Sequence, residues 1–332
     1  PLMILLIGFS NLIVIFVGGK QYINGEIEIG VLAEFIIYVN MLTWPVAVVG
    51  WITSIVQQAE ASQKRINKFL NEVPEINNGK IQVNNLIGDI EFKNVSLFYP
   101  ETQIKSINNL SIKIKAGTTL GVIGKVGSGK SSFLELITRF YDPTCGVIEI
   151  DGINIKDFNL DKLRKNIGYV PQNPFLFSES IKENLQYGLK NASKDKIIDA
   201  SRKAAIHEDI INFKRGYKTI LGERGITLSG GQIQRVSIAR VFIKNPKIYL
   251  FDDCLSAVDN NTEEKILKNL KSISNNKTTI IVSHRISSLK HADQIIVFEN
   301  GKIVQQGKHI DLMGVTGYYK ELFEKQQADQ AK

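Results

Sequence analysis

The apolar positions of this chain follow two different patterns. Leu2 to Gly19 contains no charged residue and is almost wholly apolar. A second run from Val31 to Val56 carries one charge, Glu34, and a central Trp44-Pro45. A helix needs about 20 residues to cross a hydrocarbon core of about 30 Å, and each run is long enough. The pattern predicts two transmembrane helices, at about 2–19 and 31–56. Two buried core helices of a soluble protein are the alternative, and the length and lack of charge argue against them. Pro45 predicts a kink in the second helix. Trp44 and Trp51 are expected against lipid or a neighbouring helix rather than a cavity. The intervening loop carries Lys20, Glu26 and Glu28, so 1 − 2 = −1. After the second run come Glu60, Lys64, Arg65 and Lys68, so 3 − 1 = +2. The basic excess places 64–68 on the cytoplasmic side.

Past residue 70 the pattern changes. Residues 71–88 read as a polar linker. Short β-rich runs then alternate with helical stretches. Leu120–Gly124, Val147–Ile150, Lys247–Phe251, Thr279–Val282 and Gln294–Phe298 read as strands, and Ser132–Phe140 and Gln232–Ile243 as helices. That alternation predicts an α/β domain with a largely parallel sheet, placed at 89–325. Residues 326–332 read as a polar tail.

Composition narrows the function. The 332 residues include only Cys145 and Cys254, which excludes a disulfide framework and a cysteine-rich zinc site. His207, His284, His291 and His309 form no helical metal pair. The net charge is 41 − 33 = +8. It fits a solvated Lys- and Asn-rich surface better than a nucleic-acid site. The sequence begins at Pro1 rather than Met, which suggests a piece of a longer chain.

The chemistry starts after the first buried strand. Gly124-Lys125-Val126-Gly127-Ser128-Gly129-Lys130-Ser131 fits the pattern G-x-x-x-x-G-K-[ST]. Gly127 and Gly129 allow a tight turn and close approach to phosphate oxygens. The exposed N–H groups and the helix start, with Ser132 following, form an anion site. Lys130 adds a point charge for the outer phosphates, and Ser131 offers a hydroxyl to Mg²⁺. The strand Ile248–Phe251 ends in Asp252-Asp253. A carboxylate there suits the nucleotide's metal, so Asp252 is the metal partner and Asp253 the candidate that polarises water. Leu228-Ser229-Gly230-Gly231-Gln232 opens another helix, a second anion-type N-terminus that suggests a nucleotide held by another subunit.

In this order the motifs resemble the ATP-binding cassette (ABC) family over about Gly88 to Lys325. The resemblance implies a P-loop cassette with a mixed, largely parallel sheet and a helical subdomain. It implies ATP and Mg²⁺ as cofactors. Tyr99 resembles the aromatic that stacks on adenine. Gln172 resembles the glutamine that links the Mg²⁺ site to the membrane domain. Glu223-Arg224-Gly225 resembles an exporter loop near that coupling surface. Ser256-Ala257-Val258-Asp259 resembles the loop that crosses a dimer interface, and His284 the switch histidine on the γ-phosphate. Ser229, Gly230, Gly231 and Gln232 match the signature that closes on the partner's ATP. The two apolar runs resemble the fifth and sixth membrane helices of an exporter half, so the first four are expected to be missing. That reading implies a multi-pass protein of the cytoplasmic (inner) membrane with its ATPase domain in the cytoplasm.

One departure stands out. The family's usual residue after the Walker B aspartate is Glu, and here it is Asp253. The shorter side chain implies slow hydrolysis and a heterodimer with a Glu-bearing partner, a homodimer being the alternative. The cargo, whether drug, lipid or peptide, is not implied. Rivals are a non-hydrolysing regulatory half, a soluble ABC ATPase and an importer ATPase; no nucleic-acid partner is expected.

Overall fold

The computed structural model describes residues 2–330 except 84, 100, 223, 224, 226 and 275. The chain divides into two compact units, 1–75 and 76–332.

The first unit is a pair of helices, α1 (Leu2–Ile23) and α2 (Ile29–Leu70). Both are long and apolar enough to cross a membrane. Leu5, Phe9, Leu12, Phe16, Trp44 and Trp51 are exposed on their surfaces. A contiguous apolar surface of that kind suits lipid and not water. Asn11 Nδ2 donates to Asn40 Oδ1 at 3.4 Å, one polar tie between the helices. The helix α2 does not end at residue 56, where its apolar run stops. Gln57 to Leu70 holds no Gly or Pro and is rich in Gln, Ala and Lys, which favours continued helix. At about 1.5 Å per residue it is roughly 63 Å long, about twice a hydrocarbon core. Pro45 lies inside it without ending it.

The second unit begins with a hairpin, β1 (Ile90–Tyr99) and β2 (Ile104–Ile114), then β3 (Thr119–Gly124) and α3 (Lys130–Ile137). Next come β4 (Cys145–Ile150), β5 (Ile153–Asn154), α4 (Leu160–Lys165) and β6 (Ile167–Val170). Three short helices follow, α5 (Ile181–Gln186), α6 (Lys194–Lys203) and α7 (His207–Asn212). Then α8 (Gly230–Lys244), β7 (Ile248–Asp252), α9 (Asn260–Ile273) and β8 (Thr278–Val282) return to the centre. The chain closes with β9 (Gln294–Glu299), β10 (Lys302–Gly307), α10 (His309–Met313) and α11 (Tyr318–Gln330).

The main sheet has the order β10-β9-β3-β8-β7-β6. It is parallel except for β10, which runs antiparallel to β9. A separate antiparallel sheet has the order β2-β1-β4-β5. The strand expected at Val147–Ile150 belongs to this second sheet. Side chains alternate across the main sheet. Leu120, Val122, Ile248, Leu250, Ile280, Val282, Ile296 and Phe298 pack with α3 and the antiparallel sheet. Ile123, Tyr249, Phe251, Ile281, Ile295 and Val297 pack on the other face with residues of α5 to α9. Two buried faces explain why these strands read as unbroken apolar runs.

Two stretches differ from their sequence reading. Asp151 accepts from the N–H groups of Ile87, Gly88 and Asp89, at 2.7, 2.9 and 2.8 Å, and Leu86 is buried. The second half of the polar stretch 71–88 therefore packs onto the cassette. Residues 326–330 are the last turn of α11.

Candidate active site

Strand register brings the site together. Val122 of β3 and Asp252 of β7 both pair with Val282 of β8, so all three lie on one rung. Just past that rung, at the C-terminal ends of the strands, lie Gly124, Asp253 and His284. Open α/β sheets bind ligands at this edge.

The loop after β3 has the left-handed backbone that its glycines predict, with φ of +77° at Gly127 and +104° at Gly129. A Cβ on Gly129 would lie 2.4 Å from the carbonyl oxygen of Ser106, so a side chain cannot be added without moving backbone. Gly129 caps α3 with no side-chain bond to the helix N–H groups. The Lys130 Nζ donates to the carbonyls of Gly124 at 2.8 Å and Lys125 at 2.7 Å, and to Ser128 Oγ at 3.5 Å. Burial pulls its ammonium below the usual lysine range, while Asp252 and Asp253 pull it back up. Val126 and Lys125 lie on the exposed rim, and Lys125 pairs with Glu299 at 3.6 Å.

Asp252 and Asp253 are both buried. Burial raises the Asp252 carboxyl above the usual range, against hydrogen bonds from Ser131 and Tyr169. The Tyr169 hydroxyl donates to Asp252 Oδ2 at 3.4 Å. Asp253 has a φ of +44°, and its N–H donates to Val282 O at 2.9 Å. Its Oδ1 accepts from the backbone N–H of His284 at 3.4 Å. Burial raises its pKa too, against the nearby His284, Lys130 and Arg285. The Tyr99 hydroxyl donates to Glu135 Oε2 and bonds the Ser132 hydroxyl, both at 3.2 Å, and its ring sits edge-on to Tyr141. Gln172 is exposed, two residues beyond β6. Since Val170 pairs with Phe251, Gln172 is level with Asp253 along the sheet.

The residues present suit a nucleotide polyphosphate with Mg²⁺. The α3 N-terminus lacks a side-chain cap, and a buried ammonium stands beside it. Ser131 follows Lys130 at the start of α3, and Asp252 ends β7; a hydroxyl and a carboxylate are the hard oxygen donors that Mg²⁺ takes alongside phosphate oxygens.

The second glycine-rich start is built differently. Ser229 caps α8, with its Oγ accepting from Gln232 N–H at 3.3 Å, and Gln232 Oε1 accepts from Ser229 N–H at 3.0 Å. Gln232 Nε2 also donates to Asp209 at 2.9 Å. A Cβ on Gly231 would lie 2.7 Å from the carbonyl oxygen of Ala257. The next turn reaches the same loop, since Gln234 Oε1 accepts from Ala257 N–H at 3.1 Å and its Nε2 donates to Ser256 Oγ at 3.3 Å. Among the described residues no hydrogen bond joins 229–232 to the phosphate loop. The two motifs are separate surfaces of one chain.

Residues 107–256 match the family described as ABC transporter. The chain carries an ABC transporter ATP-binding domain. The ABC transporter ATP-binding protein YknU of Bacillus subtilis is 43% identical over 314 residues, covering 94% of this chain and 54% of that protein. The probable multidrug resistance ABC transporter ATP-binding/permease protein YheI of Bacillus subtilis is 38% identical over 328 residues, 98% of this chain and 56% of that one. A bacterial Atm1-family ABC exporter, solved with ATP bound, superimposes with a TM-score of 0.83 at 33% identity, over 98% of this chain and 57% of that chain. The chain spans a little over half the length of each. The cassette in hand is thus of the ABC ATPase type, with two apolar helices on the same chain.

Several contributors to this cassette were not legible as motifs. Tyr169 and Glu135 shape the Asp252 and Tyr99 surroundings. Arg285 donates to the carbonyls of Ser256 and Val258, both at 3.0 Å, to Asn260 Oδ1 at 3.3 Å and to Glu263 at 2.6 Å. It ties the loop after β8 to the segment expected to cross a dimer interface. Its only sequence signal is adjacency to His284. Glu223 and Arg224 of the expected exporter loop lie outside the described residues.

Proposed function

We propose that this chain is the C-terminal part of one half of an ABC exporter, and that it couples ATP binding and hydrolysis to transport across the cytoplasmic membrane. In this reading 1–70 ends a transmembrane domain, 71–88 connects it, and 89–325 is the nucleotide-binding domain. Relatives named for multidrug resistance support an amphipathic or apolar cargo. The observation that carries the reading is the single rung on which the phosphate loop, Asp252-Asp253 and His284 begin, on the same chain as α1 and α2.

Gly124–Ser132 holds the phosphates of ATP, and Tyr99 flanks the adenine side. Ser131, Asp252 and Gln172 hold Mg²⁺, which when bound neutralises charge on the phosphate oxygens. Lys130 and His284 stabilise negative charge on the outermost phosphate. Asp253 orients the attacking water and takes up its proton. Ser229–Gln232 lies away from the chain's own phosphate loop, so it serves the nucleotide of a second ABC half, and the site is completed only by that partner. ATP closes the two cassettes because only the closed pair makes both sets of contacts.

The Asp at 253 favours a heterodimer in which this chain's own site is slow and its signature serves a partner's faster one. The regulatory reading, in which Asp253 does no chemistry, draws on the same residue. The test is the full chain in lipid nanodiscs with MgATP. Lys130→Ala should abolish nucleotide binding. Ser229→Arg should leave binding to the chain's own loop intact while blocking ATP-dependent pairing in size-exclusion or cross-linking experiments. Where wild type pairs on adding ATP, pairing by Ser229→Arg equal to wild type sinks the composite-site reading.

A further inference from the structure

The helix α11 docks on the cassette by one stripe. Tyr319, Leu322, Phe323 and Gln326 recur at i, i+3, i+4 and i+7, one face of a helix. Tyr319 is fully buried, and its hydroxyl bonds His309 Nδ1 at 2.8 Å. Leu322 and Phe323 pack against the core below. The fourth position of the stripe is a primary amide. The Gln326 Nε2 donates to the carbonyl oxygen of His284 at 2.6 Å, and its Oε1 accepts from the N–H of Ile286 at 3.0 Å. One carboxamide thus binds the loop as a neighbouring strand would, with one donor and one acceptor two residues apart.

This completes the hold on the His284 backbone. Its N–H faces Asp253 Oδ1 and its C=O faces Gln326. The intervening Arg285 is fixed separately, by its N–H to Ser283 Oγ at 3.0 Å and by its guanidinium to the 256–263 segment. The His284 ring hangs from a Cα whose two flanking peptides are both tied. A ring held this way meets a ligand with little ordering cost.

We infer that Gln326 is a positioning residue for His284, so that the terminal helix α11 takes part in recognising the outermost phosphate without touching it. This rests on the reading above that His284 faces that phosphate. The hydrogen bond to His284 O is the essential one, because it fixes the peptide that carries the ring.

The test uses the full chain in nanodiscs with Mg²⁺, titrated with ATPγS and separately with ADP. Gln326→Ala should weaken ATPγS about fivefold, as expected for one lost hydrogen bond to an ordered peptide, and should leave ADP unchanged. Gln326→Glu keeps the shape and the acceptor but loses the donor, so it should behave as Gln326→Ala does. His284→Ala should lose the same ATPγS preference, and the double variant should lose no more than either. The thermal midpoint should stay close to wild type. Full ATPγS preference in Gln326→Ala, alongside its loss in His284→Ala, overturns the inference and leaves the function reading intact. Equal weakening of ATPγS and ADP with a lowered midpoint also overturns it, in favour of a structural role. No preference change in His284→Ala refutes the γ-phosphate role itself, and the role of Gln326 with it.

Discussion

Lengthening Asp253 to Glu tests the catalytic position directly. Asp253 sits on backbone with φ +44°, and its carboxylate rests on the His284 N–H at 3.4 Å. Glu adds one methylene and carries the carboxylate about 1.5 Å further along the side chain. Misplacement of about 1 Å costs on the order of 10²-fold in rate, or about 2.7 kcal/mol at the transition state. Against this stands the left-handed backbone. Asp tolerates that region because its short polar side chain bonds locally, and Glu loses part of that tolerance, at about 1 kcal/mol. This cost falls on folding and not on the chemistry of the folded fraction. Asp253→Glu is therefore expected to raise ATP turnover at least tenfold while lowering the thermal midpoint by about 3 °C. The assay is phosphate release by the full chain in nanodiscs, at concentrations where the cassettes pair, with ATPγS affinity measured in parallel. Wild type turning over as fast as the variant, at equal nucleotide affinity, refutes the argument that Asp253 is too short. A self-sufficient homodimer is then the better description.

Other outcomes follow from single sites. Gly129→Ala places a Cβ 2.4 Å from Ser106 O at φ +104°, so it should abolish nucleotide binding and destabilise the cassette in thermal unfolding. Gly127→Ala, at φ +77° with open space around it, should cost about 1 kcal/mol of stability for backbone strain alone. Arg285→Ala leaves the buried Glu263 carboxylate without its cation and should cost about 3 kcal/mol in denaturant unfolding. Asp252 is held above the usual carboxylate range by burial, so folding favours its protonated form. The resulting penalty is absent below that range, grows as pH rises through it, and is complete once the folded carboxyl is ionised. Asp252→Asn should thus raise the thermal midpoint of the nucleotide-free protein at neutral pH, with a smaller gain in acid, and should lose Mg²⁺-dependent ATP affinity in titration.

Local pattern alone determined much of this protein. Apolar runs with one charge between them, Glu34, mark α1 and α2, because hydrocarbon tolerates charge and unpaired backbone poorly. Strands buried on both faces announce themselves as Ile248–Phe251 and Thr279–Val282. The glycine spacing of 124–131 is readable because phosphate chemistry fixes the residue types over a few contiguous positions. Pattern also misplaced some ends. The helix α2 outruns its apolar stretch because polar residues of good propensity extend a helix freely in water. The stretch 71–88 reads as a polar linker and 326–332 as a polar tail, yet Asp151 captures the end of the first and the Tyr319 stripe carries 326–330 of the second. Only the tertiary structure decided what meets across the sheet. The rung joining Val122, Val282 and Asp252 depends on the strand order β3-β8-β7, in which β7 and β8 exchange their order along the chain. Arg285 on Ser256 and Val258, and Gln326 on His284, span 27 to 42 residues. Such hydrogen bonds leave no periodic trace, because a single polar side chain meeting a distant peptide is set by packing and not by its neighbours in sequence.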